Sequence, residues 1–150
     1  MRISARADYA VRSVIEIAAR DPELVKSDQI AAAQDIPAKF LEQILSDLRR
    51  AGLVSSRRGA DGGYLLARPA AQISLADVIR AVDGPLAWVR DQRPGAVAYN
   101  GNAEPVREVW IAVRAALRAV LDDVTVADVL SGELPASVTS LTEDGDVWRD

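Results

Sequence analysis

The chain has 150 residues, 49% of them apolar, a formal net charge of −4, and neither cysteine nor histidine. Disulfides, Cys/His zinc sites, thiolate-held iron–sulfur clusters, cysteine nucleophiles and Ser-His-Asp triads are thereby excluded, and the apolar share argues against wholesale disorder. No apolar run reaches the ~18 residues of a membrane span, and MRISARADYAV lacks the apolar stretch of a signal peptide, so a cytoplasmic protein is expected.

Residues from Ala5 to about Arg20 predict a helix, with Val11, Val14, Ile15 and Ala18 at the i, i+3, i+4, i+7 spacing of one face. Pro22 breaks it. Ser27 is a good N-cap for a short helix, DQIAAAQD, with Asp28 in its first turn. Pro37 opens the next helix, AKFLEQILSDLRRAG, and Gly52 closes it. LVSSRR and YLLARP predict two short strands around GADGG. Ser74 and Thr125 each stand three residues before an aspartate, as capping-box variants sharing one start chemistry. Leu86 to Glu104 is a long loop bearing Pro, Gly and Asn, and Pro105 starts a helix of about 18 residues. The last ten or so residues read as an acidic, frayed tail. Helix, helix, helix, hairpin, helix, with a tight turn between the middle helices, is the winged helix-turn-helix order. The expected fold class is mostly α with a small β-hairpin wing.

On the helix after Pro37, Leu41, Ile44, Leu45 and Leu48 share one face, while Lys39, Gln43, Ser46 and Arg50 share the opposite one. Such a polar, basic stripe suits the major groove: Gln bonds adenine edges, and Lys and Arg reach guanine or phosphate. Glu42, on its border, is able to accept from a cytosine amino group. Any amphipathic surface helix has a polar side, so the stripe alone leaves a plain surface helix open. The neighbouring helix and hairpin favour recognition. On the hairpin, Arg57 and Arg58 supply charge, with Gly59, Gly62 and Gly63 permitting positive φ and close approach of main-chain N–H groups to phosphates. A solvated turn with ordinary surface charge is the plainer reading. Charge is unevenly spread: Lys39, Arg49, Arg50, Arg57, Arg58 and Arg68 outnumber Glu42, Asp47 and Asp61 across this region, whereas acids dominate from Val120 onward. Local sign governs contact, because salt screens beyond ~8 Å.

SARADYAVRSVIEIA, IPAKFLEQILSDLRRAGLVSSRRGADGGYLLARP and ISLADVIRAVDGPL resemble the Rrf2 family of transcriptional regulators, over most of Met1 to Leu86 and more loosely beyond. The order FLEQ, LRRAGLV, then a glycine pair followed by Tyr64 is specific. The resemblance implies a homodimeric winged-helix protein, usually a repressor, on double-stranded DNA with an inverted-repeat operator. It implies base contact at Glu42 and Gln43, and groove contact at Arg58 and its glycines. Lys39 stands where several members have Ser, and Asp61 at a common Gly. Many members hold an iron–sulfur cluster through three cysteines in the segment matching WVRDQRPGAVAYNGNAEP, which has none here. Asp8 sits where one branch has a carboxylate ligand. No cofactor and no metal site are therefore expected.

Val106, Trp110, Val113, Leu117, Val120 and Val124 alternate steps of four and three, a heptad-like seam. A helix packed into its own domain fits the pattern equally, and the family likeness favours a dimer interface. Trp88, Arg90, Arg93 and Tyr99 are candidates for an effector loop that receives a small anionic or planar molecule, if the segment does more than pack over the helix. The division expected is a winged helix-turn-helix domain over 1–85, a sensing loop over 86–104, a dimerisation helix and short following helix over 105–132, and an acidic tail over 133–150. A DNA-binding regulator leads. A ligand- or partner-controlled winged helix that docks proteins is the alternative, given the net acidity. Enzyme chemistry is not expected, since Asp122 and Asp123 diverge as helix neighbours.

Overall fold

The computed structural model describes residues 2–148; Met1 and the last two residues of the expected acidic tail, Arg149 and Asp150, lie outside the described residues. The elements run α1 (Ala5–Ala19), α2 (Ser27–Gln34), α3 (Ala38–Arg50), β1 (Val54–Arg57), β2 (Gly63–Leu66), α4 (Leu75–Asp83), α5 (Val106–Leu121), α6 (Val126–Ser131) and α7 (Ala136–Thr142), with short 3-10 turns between. The two strands form an antiparallel hairpin in the register Val54↔Leu66 to Arg57↔Gly63.

Helix α1 is the hub: α2, α3, α4, α6 and β2 all pack on it. Ser4 caps it, accepting from the Ala7 amide at 2.9 Å. Its buried face centres on Ala10, Val14 and Ile17, leaving Val11 and Ile15 half-buried. The spacing-based stripe is thus rotated, because small Ala7 and Ala10 admit neighbouring backbones that a hydrophobicity pattern does not register. Lys26, rather than Ser27, stands at the N-cap position of α2, where its side chain has no acceptor to cap with, and Gln29 Oε1 accepts from the Lys26 amide at 2.9 Å. Asp35, in a left-handed conformation, turns the chain into α3.

Leu41, Ile44, Leu45 and Leu48 of α3 are buried as their spacing predicts. The helix ends in a Schellman motif: the Gly52 amide donates to Arg49 O and the Leu53 amide to Leu48 O, each at 3.0 Å, with Gly52 at φ +73°. With Ile17, Ile30, Leu53, Ile73, Val78 and Val126 these side chains make one core. The two capping boxes form as expected. Ser74 Oγ accepts from the Asp77 amide at 3.0 Å and Thr125 Oγ1 from the Asp128 amide at 3.1 Å, and each aspartate accepts in return. The two helix starts also pair, Ser74 with Thr125, in an isolated antiparallel bridge. That pairing fastens the helix after α5 back onto the core.

The stretch read as an acidic tail differs from expectation in its first half. It forms α7 after Pro135, packed on α5, with Ser137 Oγ donating to Asp123 Oδ2 at 2.7 Å. The long loop is partly ordered by turns at Pro94–Ala96 and Gly101–Ala103, and buried Pro94 and Val97 anchor it.

Candidate nucleic-acid interface

Lys39, Glu42, Gln43 and Arg50 are exposed on α3, with Ser46 half-buried between them. Helical spacing aligns Lys39, Gln43, Ser46 and Arg50, and the buried leucine stripe behind them fixes that face outward. Lys39 Nζ lies 5.1 Å from the centre of the Phe40 ring, which itself tilts against Tyr9 at 6.4 Å. Phe40 is 51% exposed at the start of this helix, an apolar neighbour to the polar stripe that spacing alone assigns to no face. Such a ring suits contact with a thymine methyl.

The hairpin stands beside α3. Arg49 Nη1 donates to Ser56 Oγ at 3.3 Å, joining the helix to β1. Arg57, Arg58 and Gly59 are exposed at the tip. A polar cleft of about 430 Å³ separates the tip from the start of α2, lined among others by Lys26, Ser27, Arg49, Ser56 and Arg57. Arg49, Lys26, Ser27 and Ser56 therefore join the basic surface, although sequence reasoning did not select them. Arg49 falls off the polar stripe on a helical wheel, and only the folded hairpin brings it to the cleft.

The glycines divide their duties differently from expectation. Gly59, at φ +107°, has open space around it. Gly62 takes no positive φ; it is buried in the turn, where an added Cβ would fall 2.1 Å from Arg57 O. At Gly63, φ +154°, a Cβ would sit 2.8 Å from Val25 O. The backbone of half-buried Tyr64 explains that approach: its amide donates to Val25 O at 2.8 Å and its carbonyl accepts from the Val25 amide at 3.0 Å. Gly62 and Gly63 are thus required by the chain's own packing, while Gly59 has open space beside its Cα and accepts from the Gly62 amide at 3.0 Å.

On α5, Val106, Trp110, Val113, Leu117 and Val120 are half-buried and Val124, just beyond it, is buried. Trp110 and Val113 line a cleft of about 340 Å³ with Trp88, Val89 and Arg90, and Leu117 faces an apolar groove with Ile3, Ile79 and Leu86. The seam lies partly against its own chain, while Val109 (55%) and Ile111 (37%) of the same helix are the more exposed. In the loop, the Arg90 guanidinium stacks 5.6 Å from the Tyr99 ring centre and donates to Ala98 O at 3.4 Å. Arg93 is exposed at the turn before Pro94.

A polar helix face, a basic hairpin fastened beside it and a supporting short helix define a winged-helix DNA-binding regulator. Residues 3–132 match the Rrf2 family, described as iron-dependent transcriptional regulators. A Mycobacterium tuberculosis protein named as an HTH-type transcriptional regulator is 50% identical over 145 residues, spanning 96% of this chain and 90% of its own. CymR of Bacillus subtilis is 37% identical over 137 residues, spanning 87% of this chain and 91% of its own. The solved structure of B. subtilis CymR, titled the global cysteine regulator, superposes with a TM-score of 0.74 at 35% identity, covering 88% of this chain and 98% of that one. T. potens IscR superposes with a TM-score of 0.71 at 32% identity, covering 88% of each chain. The chain belongs to the Rrf2 family of transcriptional regulators.

The family description implies iron, and the donor set here does not fit an iron–sulfur cluster. The sequence offers no thiolate or imidazole. Asp8 is paired with Arg12 at 2.9 Å, and no group of three or more potential ligands gathers among the described residues. No helix of the described residues is long and apolar enough to cross a membrane.

Proposed function

We propose that this chain is a homodimeric repressor that binds an inverted-repeat operator in cytoplasmic DNA without carrying an iron–sulfur cluster. Each α3 enters the major groove of a half-site, and Arg57 and Arg58 meet the flanking groove. The observation that supports this most is the single basic surface made by Lys39, Gln43 and Arg50 together with Arg49, Arg57 and Arg58, on a chain of net charge −4. Dimerisation is supported by α5, whose 16 residues include none that is buried within one chain despite their apolar content. The cluster-free reading is supported by the missing soft donors, and a visible absorption band after anaerobic reconstitution would contradict it.

The test is selection from random duplexes by the purified protein, followed by transcription from a promoter overlapping the selected site. An inverted repeat and lowered transcription are expected. Selection of no sequence would favour a protein-docking winged helix. The cleft between Trp88 and Trp110 is the proposed seat for an effector, since two indoles wall it. A metabolite that seats there should change both tryptophan fluorescence and DNA affinity, and a metabolite screen with no such hit would point to control by a protein partner.

A further inference from the structure

Asp47 lies in the middle of the basic helix α3, where a carboxylate repels phosphate. Yet it is buried, the only charged residue in the described core. Its two oxygens have separate duties. Oδ2 accepts from Arg6 Nη2, which reaches across from α1. Oδ1 accepts from Gln43 Nε2 at 3.1 Å and from Arg50 Nη1 at 3.0 Å. Two members of the polar stripe are therefore held by one carboxylate, and that carboxylate is anchored from a different helix.

The consequence for Gln43 is chemical. Oδ1 accepts hydrogen bonds here, from Arg50 as well as from Gln43, so only the nitrogen end of the Gln43 amide fits against it. Rotation of the amide by half a turn would set oxygen against oxygen. One N–H of Gln43 is committed to Asp47, and its carbonyl oxygen and second N–H remain for a base edge. Adenine presents an amino donor and the N7 acceptor, which match that pair; guanine presents two acceptors, O6 and N7, and meets the carbonyl oxygen with a lone pair. An amide free to turn would lose this distinction.

We propose that Asp47 is a positioning residue that fixes the Gln43 amide and so sets an adenine-over-guanine preference at the base pair Gln43 contacts; the proposal rests on the DNA-binding reading above. Arg6 holds the carboxylate from behind, keeping Oδ1 turned toward α3. An ion pair serving only to join α1 to α3 would change stability, and would leave the ranking of bases at one position untouched.

The experiment uses the full-length protein and duplexes it selects from a random library. The position read by Gln43 is the one whose preference flattens in Gln43→Ala. In the wild type, adenine to guanine there should weaken binding about tenfold or more. In Asp47→Asn, checked for folding by circular dichroism, the two bases should bind within about threefold of each other, with positions read by neither Gln43 nor Arg50 unchanged. Asp47→Glu, which keeps the charge opposite Arg6 but displaces the accepting oxygen, should relax the same position and serves if Asp47→Asn does not fold. In a Gln43→Ala background, Asp47→Asn should leave the base ranking at that position unaltered. If both Asp47 variants keep the tenfold discrimination on a selected site, the positioning role is overturned and the DNA-binding reading stands. If the wild type selects no sequence, the DNA-binding reading itself falls.

Discussion

Gly63 and Gly59 sit four residues apart on the same hairpin and meet opposite constraints. A methyl at Gly63 runs into Val25 O at 2.8 Å, whereas one at Gly59 touches nothing within 4 Å. At φ +107° and +154° both positions strain any side chain, so each alanine costs stability in urea unfolding, and Gly63→Ala should cost about 1–3 kcal/mol more than Gly59→Ala, as overpacking against backbone does. Equal costs would mean that the approach to Val25 does not hold the wing. The glycines were legible in the sequence as turn residues, but not their separate duties, because Val25 is distant in the chain and leaves no local pattern near Gly63. Gln43 and Arg50 were legible from helical spacing alone. Their shared tether was not, since Asp47 reads as one more acid on a surface helix until Arg6 arrives from α1 to bury it.

Among the elements, α5 carries the sharpest question. Val109 is 55% exposed, so a charge there costs a lone chain little, whereas Leu117 lines a groove with Ile79 and Leu86. An unpaired charge buried in an interface costs several kcal/mol, ~3–5. Sedimentation of Leu117→Glu should show monomer, and of Val109→Glu dimer; the reverse pattern would put the interface on the outer stripe. The end of α5 is tied to α4 through Asp122, which accepts from Arg80 Nη2 at 2.7 Å and Arg118 Nε at 2.8 Å. Burial works against the Asp122 charge, but those hydrogen bonds and the arginine charges outweigh it and hold the carboxyl below the usual Asp range. A lowered folded-state pKa means that the stabilisation is fully present above the unfolded value of about 3.9 and is lost as pH falls through the folded value. Asp122→Asn should cost about 0.5 kcal/mol at neutral pH after solvent screening and flatten the decline in stability below about pH 4. An acid limb identical to the wild type would remove Asp122 from that role. The sequence announced α4 and α6 through their capping boxes, which are local chemistry. Helix α7 depends on packing against α5 and carries no apolar stripe strong enough to predict it.

Across the whole molecule, sign is partitioned: the bases of α3 and the hairpin stand against the acids that follow Val120, within a net charge of −4. DNA affinity should therefore fall steeply with salt despite the net acidity. Arg58→Ala should reduce the slope of log affinity against log salt by about 0.9 for each phosphate that a protomer then leaves unneutralised. An unchanged slope would mean that Arg58 meets no phosphate. The order from α1 to α6 with the hairpin was legible because each is marked by its own caps, prolines and periodicity, while the way they lean on α1 was not, being set by small residues and backbone approach. The pairing of Tyr64 with Val25 has a further consequence. Held there, and tied to α3 through Arg49 and Ser56, the hairpin keeps a set distance from the reading helix. On the proposed mode of binding the protein would then act as a caliper, with the duplex flexing to meet its jaws. Base pairs touched by neither jaw should still influence affinity through groove width, by about 1 kcal/mol or more. Replacing the untouched steps of a selected site with stiff A-tracts or pliant TA steps, and titrating each duplex, would measure it. Indifference to those replacements would mean that the hairpin yields instead of the DNA.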